Sequence, residues 1–127
     1  MKIRKSYLIE INLSKKTNNP FPVDTFLDGK TIIGIEAFSA SQITKSPNDA
    51  VVANGDILGQ AFMSLDVGGS QPIQNLPLST LLTSNNNGIM KEFGNLKLRL
   101  NKSYLSFPDP SIITAGEVIL LNFYYED

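Results

Sequence analysis

Glu117–Val118–Ile119–Leu120–Leu121–Asn122–Phe123–Tyr124–Tyr125–Glu126 is the run on which the fold turns. Ile119, Leu121, Phe123 and Tyr125 share one parity; Val118, Leu120, Asn122 and Tyr124 share the other. A period of two is a β-strand, and β-branched and aromatic side chains suit one. Both parities carry large apolar groups. A strand in a two-layer domain turns only one side to the core, so its second side must find cover elsewhere. Aromatic rings are enriched in interface centres, which makes Leu120 and Tyr124 candidate contact residues on that second side.

The alternation recurs upstream. Residues 5–13 place Lys5, Tyr7, Ile9, Ile11 and Leu13 opposite Ser6, Leu8, Glu10 and Asn12. Residues 30–39 set Thr31, Ile33, Ile35 and Ala37 against Ile32, Gly34, Glu36 and Phe38. The spacing predicts a third strand over 57–67, with Gly59 marking a bulge or a close backbone approach, and a fourth over 95–107, where Leu96, Leu98 and Leu100 point inward. Between these runs lie Gly-, Pro- and Asn-rich breaks. Residues 14–22 read as a loop, 23–27 as a short strand or turn, and Asp28–Gly29 as a tight turn. Residues 40–56 form a long polar connection with one extended rung at 50–53, long enough to carry function or to cross a partner. Pro72 and Pro77 exclude 71–82 from a sheet centre, and a buried, irregular crossing segment with one helical turn after Pro77 is expected. Asn85–Asn86–Asn87–Gly88 reads as an exposed turn.

About eight strands with no long amphipathic helix predict an all-β fold: a two-sheet antiparallel sandwich in one domain spanning 1–127. With two four-stranded sheets the jelly roll is the natural candidate. The Ig-like sandwich is the competitor, although its usual buried Trp and cysteine pair have no counterpart here.

The chain contains neither histidine nor cysteine. That removes the imidazole base, the thiolate nucleophile and the soft metal ligands. No serine nucleophile elbow is present, and Asp66–Val67–Gly68–Gly69–Ser70 lacks the lysine of a phosphate loop. Glu36 interrupts an apolar strand; it reads as a catalytic acid, a buried ion-pair partner, or a group turned to solvent or a neighbouring subunit. Asn48, Asp49, Asn54, Asp56 and Asp66 offer oxygen ligands for calcium, but turn chemistry accounts for them equally. The residues therefore predict no enzyme, no catalytic residue, no cofactor and no metal. The chain builds a surface.

The net charge of −1 argues against a dedicated nucleic-acid binder. Charge is nonetheless uneven, with Lys2, Arg4, Lys5, Lys15 and Lys16 near the start. This run reads either as an edge strand guarded by basic residues or as a basic arm that touches a phosphate backbone or an acidic neighbour. Lys2, Arg4 and Lys5 join Leu120 and Tyr124 as candidate interface residues. Glu10 inside the first apolar stretch speaks against a secretory signal, and no apolar run reaches membrane-spanning length. No membrane partner is expected, and nucleic acid only through the basic stretch.

Pro77–Leu78–Ser79–Thr80–Leu81, Gly94–Asn95–Leu96–Lys97–Leu98, Lys102–Ser103–Tyr104–Leu105 and the closing Asn122–Phe123–Tyr124–Tyr125, in that order, resemble small single-jelly-roll virion proteins of bacteriophages. The resemblance implies a non-enzymatic capsid component: a penton, minor capsid or decoration protein in the virion, made in the host cytoplasm. It implies a symmetric homo-oligomer in contact with other capsid proteins, with the basic N-terminal stretch as an anchor to the shell. The alternative is a carbohydrate- or ligand-binding β-sandwich module that uses loop Asp and Asn residues with Tyr7 or Tyr104.

Overall fold

The computed structural model describes residues 4–67, 70–82, 91–97 and 99–126. Eight strands run β1 (Arg4–Asn12), β2 (Asn18–Pro20), β3 (Thr31–Phe38), β4 (Phe62–Val67), β5 (Ser70–Pro77), β6 (Lys91–Leu96), β7 (Arg99–Ser106) and β8 (Val118–Glu126). They form two four-stranded antiparallel sheets, ordered β1-β8-β3-β6 and β2-β7-β4-β5. The molecule is an all-β two-sheet sandwich. Four pairings are nested: β1 with β8, β2 with β7, β3 with β6 and β4 with β5. Additional ladders join β3 to β8 and β4 to β7.

The core is the sum of the inward parities. Ile9 and Ile11 of β1, Ile35 and Ala37 of β3, and Ile119, Leu121, Phe123 and Tyr125 of β8 meet Met63 and Leu65 of β4 and Leu105 of β7 in one buried cluster. Phe107, immediately beyond β7, is fully buried in it. Removing a buried ring of this kind from a packed core costs about 3–5 kcal/mol. Phe21 meets Phe123 edge to face at 6.3 Å, tying the segment after β2 to the centre of the opposite sheet.

Several local expectations change. Residues 57–67 are not one strand: Gly55–Leu58 forms a short helix, α1, and β4 begins only at Phe62. Asn54 explains the switch, because its Oδ1 accepts the Ile57 N–H at 3.1 Å and caps the turn. The run 95–107 is likewise divided between β6 and β7, which lie in different sheets. Its parity continues through the crossing, so alternation alone gave no sign of a corner. Leu98 falls outside the described residues, as does the turn expected at 85–88. Asn18–Pro20 pairs with β7 although it lies in a stretch read as loop; proline is tolerated there because β2 is an edge strand.

The proline-rich 71–82 segment, expected as a buried irregular crossing, is instead mostly strand and takes the other edge of that sheet, where a proline without an N–H is tolerated. β5 ends at Pro77, and a 3-10 turn follows over Leu78–Leu81. Its ladder with β4 is bulged: Met63 faces Leu76 and Leu65 faces Ile73, so two residues oppose Ser64. Asn75 absorbs the extra residue at φ +54, and its N–H donates to the buried Ser64 Oγ at 3.1 Å. At the turn before β3, Gly29 adopts φ +80, a conformation that glycine takes without a Cβ clash.

Candidate interaction surface

The outward side of the β1-β8-β3-β6 sheet divides in two. At one end, Val118 and Leu120 are fully buried with Val52, and Phe38, Ile43 and Ala50 pack against them. The cover is the chain's own 39–53 segment. Val52 continues the sheet beside Val118 as a parallel bridge; Ala53 N donates to Val118 O at 2.8 Å and Val118 N to Val51 O at 3.0 Å. The tip of this segment is a tight turn built on Ser46. Its Oγ accepts the N–H groups of Asn48 and Ala50 at 3.2 and 3.1 Å, while Asp49 sits at φ +64. The Asn48 amide donates to Glu10 Oε2 on β1.

Two expectations are corrected by this arrangement. Leu120 is 0% exposed and offers nothing to a neighbouring molecule. The long connection, expected to be open for function or a partner, instead serves as the missing cover. The apolar second side of β8 is satisfied within the monomer because β3 ends at Phe38 and leaves room for the chain to fold back over its neighbour.

At the other end the outward side is polar. Glu36 is buried in the sheet, and its Oε1 accepts from Tyr124 Oη at 2.5 Å and Asn122 Nδ2 at 3.2 Å. This is a carboxylate held by neutral donors, not a buried ion pair between these groups. Tyr124 is half-buried. Its phenol is raised above its ordinary value, first by the hydrogen bond to Glu36, then by burial and by the Glu36 charge. Across β8 stand Ser6, exposed opposite Tyr124, and Leu8, 37% exposed opposite Asn122.

Of the basic residues, Arg4 opens β1 opposite Glu126, and Lys5 is exposed opposite Tyr125. Lys2 lies outside the described residues. The five candidates therefore do not form one patch. Arg4, Lys5 and Tyr124 gather at the β1–β8 end of the sheet, and Leu120 lies beneath the 39–53 segment.

Sequence reasoning missed an exposed aromatic group among the described residues. Phe26 is 43% exposed and Val23 is 89% exposed, both in the connection between β2 and β3. Phe26 stacks on Tyr7 with centroids 4.3 Å apart and meets Tyr125 edge to face at 5.6 Å. Lys30 Nζ lies 5.0 Å from the Phe26 centroid and 5.7 Å from that of Tyr125, within the range of cation–π attraction. Tyr7 Oη donates to Asp24 Oδ2 at 2.6 Å, and Asp24 Oδ1 accepts the Phe26 N–H at 2.9 Å. The available signal was Asp24 two residues before an aromatic, an Asx-turn spacing.

The oxygen-rich turns are occupied by structural work. Asn54 caps α1, Asn48 anchors to Glu10, and Asp109 accepts from the N–H and hydroxyl of Ser111. Asp66 is buried on β4; its N–H donates to Ser103 Oγ, and its Oδ2 has no hydrogen-bond partner. Among the described residues no three His, Cys, Asp or Glu side chains gather to hold a metal ion. No helix there is long and apolar enough to cross a membrane.

Comparison with family models, curated proteins and solved structures finds no match to this chain.

Proposed function

We propose that this chain is a non-enzymatic structural component of a virion, a minor capsid, penton or decoration protein, that works through self-association and contacts with other shell proteins. The observation that carries the reading is the nested pairing of β1 with β8, β2 with β7, β3 with β6 and β4 with β5. Nested pairs are what one long antiparallel hairpin leaves when it is wound into two sheets. We read the winding as a single jelly roll, the architecture of many viral capsid domains. An Ig-like sandwich pairs its strands otherwise.

Fold alone does not assign function, so the residues must lean the same way. Jelly rolls also serve lectins and cupins. With no histidine in the chain, the imidazole ligands that suit a transition-metal centre are missing. The exposed features are instead the edge strand β1, the exposed side chains of Val23 and Phe26 and a sheet face carrying Tyr124, which suit protein contacts. Aromatic residues at the middle of a contact supply much of its energy.

One observation favours the second reading, a carbohydrate- or ligand-binding module. Phe26 is exposed above Tyr7, and Asp24 and Lys30 stand beside it, which is a stacking ring flanked by polar groups. Light scattering on the purified chain separates the two. A closed oligomer supports the shell component. A monomer that binds glycans through Phe26, and loses them on Phe26→Ala, supports the module.

A further inference from the structure

Strand β1 is an edge. It has nine residues, Arg4–Asn12, and β8 is its one strand neighbour among the described residues. Lys5, Ser6, Leu8 and Asn12 along it are exposed. A long unpaired edge is a template for another strand. We propose that β1 pairs antiparallel with β1 of a second copy about a two-fold axis at Tyr7, so that Arg4 of each copy faces Glu10 of the other. This deepens the assembly reading and rests on it.

Parity limits the choices. Residues directly opposite in an antiparallel ladder point to the same face. If the two sandwiches turn their cores to the same side, an even-numbered residue must face an even-numbered one. A two-fold axis at Tyr7 satisfies this: Arg4 faces Glu10, Ser6 faces Leu8, and Tyr7 faces Tyr7. An axis at Leu8 gives a longer ladder but sets Arg4 against Asn12 and Ser6 against Glu10. An axis at Ser6 shortens the ladder and sets Arg4 against Leu8. Only the Tyr7 axis places opposite charges across from each other within the described strand, and symmetry does so twice.

Glu10 is suited to that position. Its Oε2 is held by Asn48, which fixes the side chain on the outward face, while its Oε1 is buried by the chain itself without a hydrogen-bond partner, a carboxylate oxygen whose charge is unmatched within one copy. Basic residues guard an edge against chance pairing. Here the same charges select one partner and one register, because only a strand with an acidic residue at the matching place accepts them.

The chain contains no cysteine, so introduced thiols report cleanly. Directly opposite residues have Cα atoms about 4.5–5.5 Å apart, inside the disulfide range. Ser6→Cys and Leu8→Cys lie at exposed positions. Mixed and mildly oxidised, the two variants should give the heterodimeric disulfide at least about fivefold over either homodimer. Arg4→Glu or Glu10→Arg alone should raise the dimer dissociation constant about tenfold, and the double exchange should restore it to within about twofold. Glu10→Arg also severs the Asn48 contact, but the double variant shares that loss, so recovery isolates the cross-copy pair. Preferential disulfides between two Ser6→Cys chains or between two Leu8→Cys chains overturn the register. An oligomer in light scattering with no disulfide at any of these positions overturns the edge pairing and leaves the assembly reading standing. A monomer at all concentrations ends both.

Discussion

Tyr7 on β1 and Asp24 in the β2–β3 connection are joined by a hydrogen bond of 2.6 Å, donated by the phenol to the carboxylate. The bond fastens the edge strand of one sheet to the segment that closes the end of the sandwich. It also raises the Tyr7 phenol, first by the hydrogen bond, then by desolvation and the Asp24 charge.

Tyr7 and Tyr124 share this direction of shift, so they set an alkaline limit. The unfolded chain releases these protons near the ordinary phenol value of 10.0, and the folded chain releases them higher. Between those points the native state holds more protons, so stability is complete below pH 10 and falls as pH rises through the folded values. Absorbance at 295 nm should show Tyr7 and Tyr124 ionising late. Tyr7→Phe and Tyr124→Phe should each remove one late component. A titration in which neither substitution removes a late component would contradict the two hydrogen bonds.

Asn19 organises the turn between β1 and β2. Its Oδ1 accepts from Ser14 N at 2.8 Å and Ser14 Oγ at 3.0 Å, and its Nδ2 donates to Lys16 O at 3.0 Å, in a site only 1% exposed. Asn19→Ala leaves those groups without partners, and each buried orphan costs about 1–3 kcal/mol. Chemical denaturation should show a loss of about that size. A loss below about 0.5 kcal/mol would mean that water replaces the side chain readily.

Leu120 is expected to matter to the monomer. Leu120→Ala opens a cavity beneath the 39–53 segment and should cost about 2–5 kcal/mol, with protease cleavage appearing first within 39–53. The oligomeric state of the fraction that remains folded should not change. Loss of assembly without loss of stability would mean that this face is used between molecules.

The Asn- and Asp-rich turns should be indifferent to metal. Asn54 Oδ1 caps helix α1 and Asp109 Oδ1 holds Ser111, while the Ser46 turn is closed by the serine hydroxyl, which accepts the Asn48 N–H. Adding a chelator should leave the melting temperature unchanged, and adding millimolar calcium should not raise it. A calcium-dependent rise would report linked binding.

The sandwich was legible because three of its strands carry unbroken alternation. Residues 5–13, 30–39 and 117–126 match β1, β3 and β8 to within a residue or two. The helical turn after Pro77 was legible from the proline, which suits the start of a helix, and the rung at 50–53 from the β-branched pair Val51 and Val52. Failure came where parity is silent. The sequence alternates without a break from Leu96 to Leu100 although β6 and β7 belong to different sheets, so periodicity alone predicts one long strand. Gly59 follows α1 and lies outside any strand, so of the bulge or close backbone approach expected there only the approach is found: an added Cβ would meet Gly55 O at 3.2 Å. The cover of Leu120 was equally hidden, because apolar residues on both faces demand a covering layer without saying whose chain supplies it. Phe26 escaped because its neighbours, not its own segment, bring Tyr7 and Tyr125 beneath it.

The central claim is that this sandwich works by joining to copies of itself. Light scattering coupled to gel filtration, run on the full chain from about 5 μM to about 500 μM, reads it directly; that span covers the affinities of small interfaces. The account predicts a mass that climbs with concentration to a closed multiple of the 13.9 kDa chain. A constant mass of one chain across the whole range would contradict it.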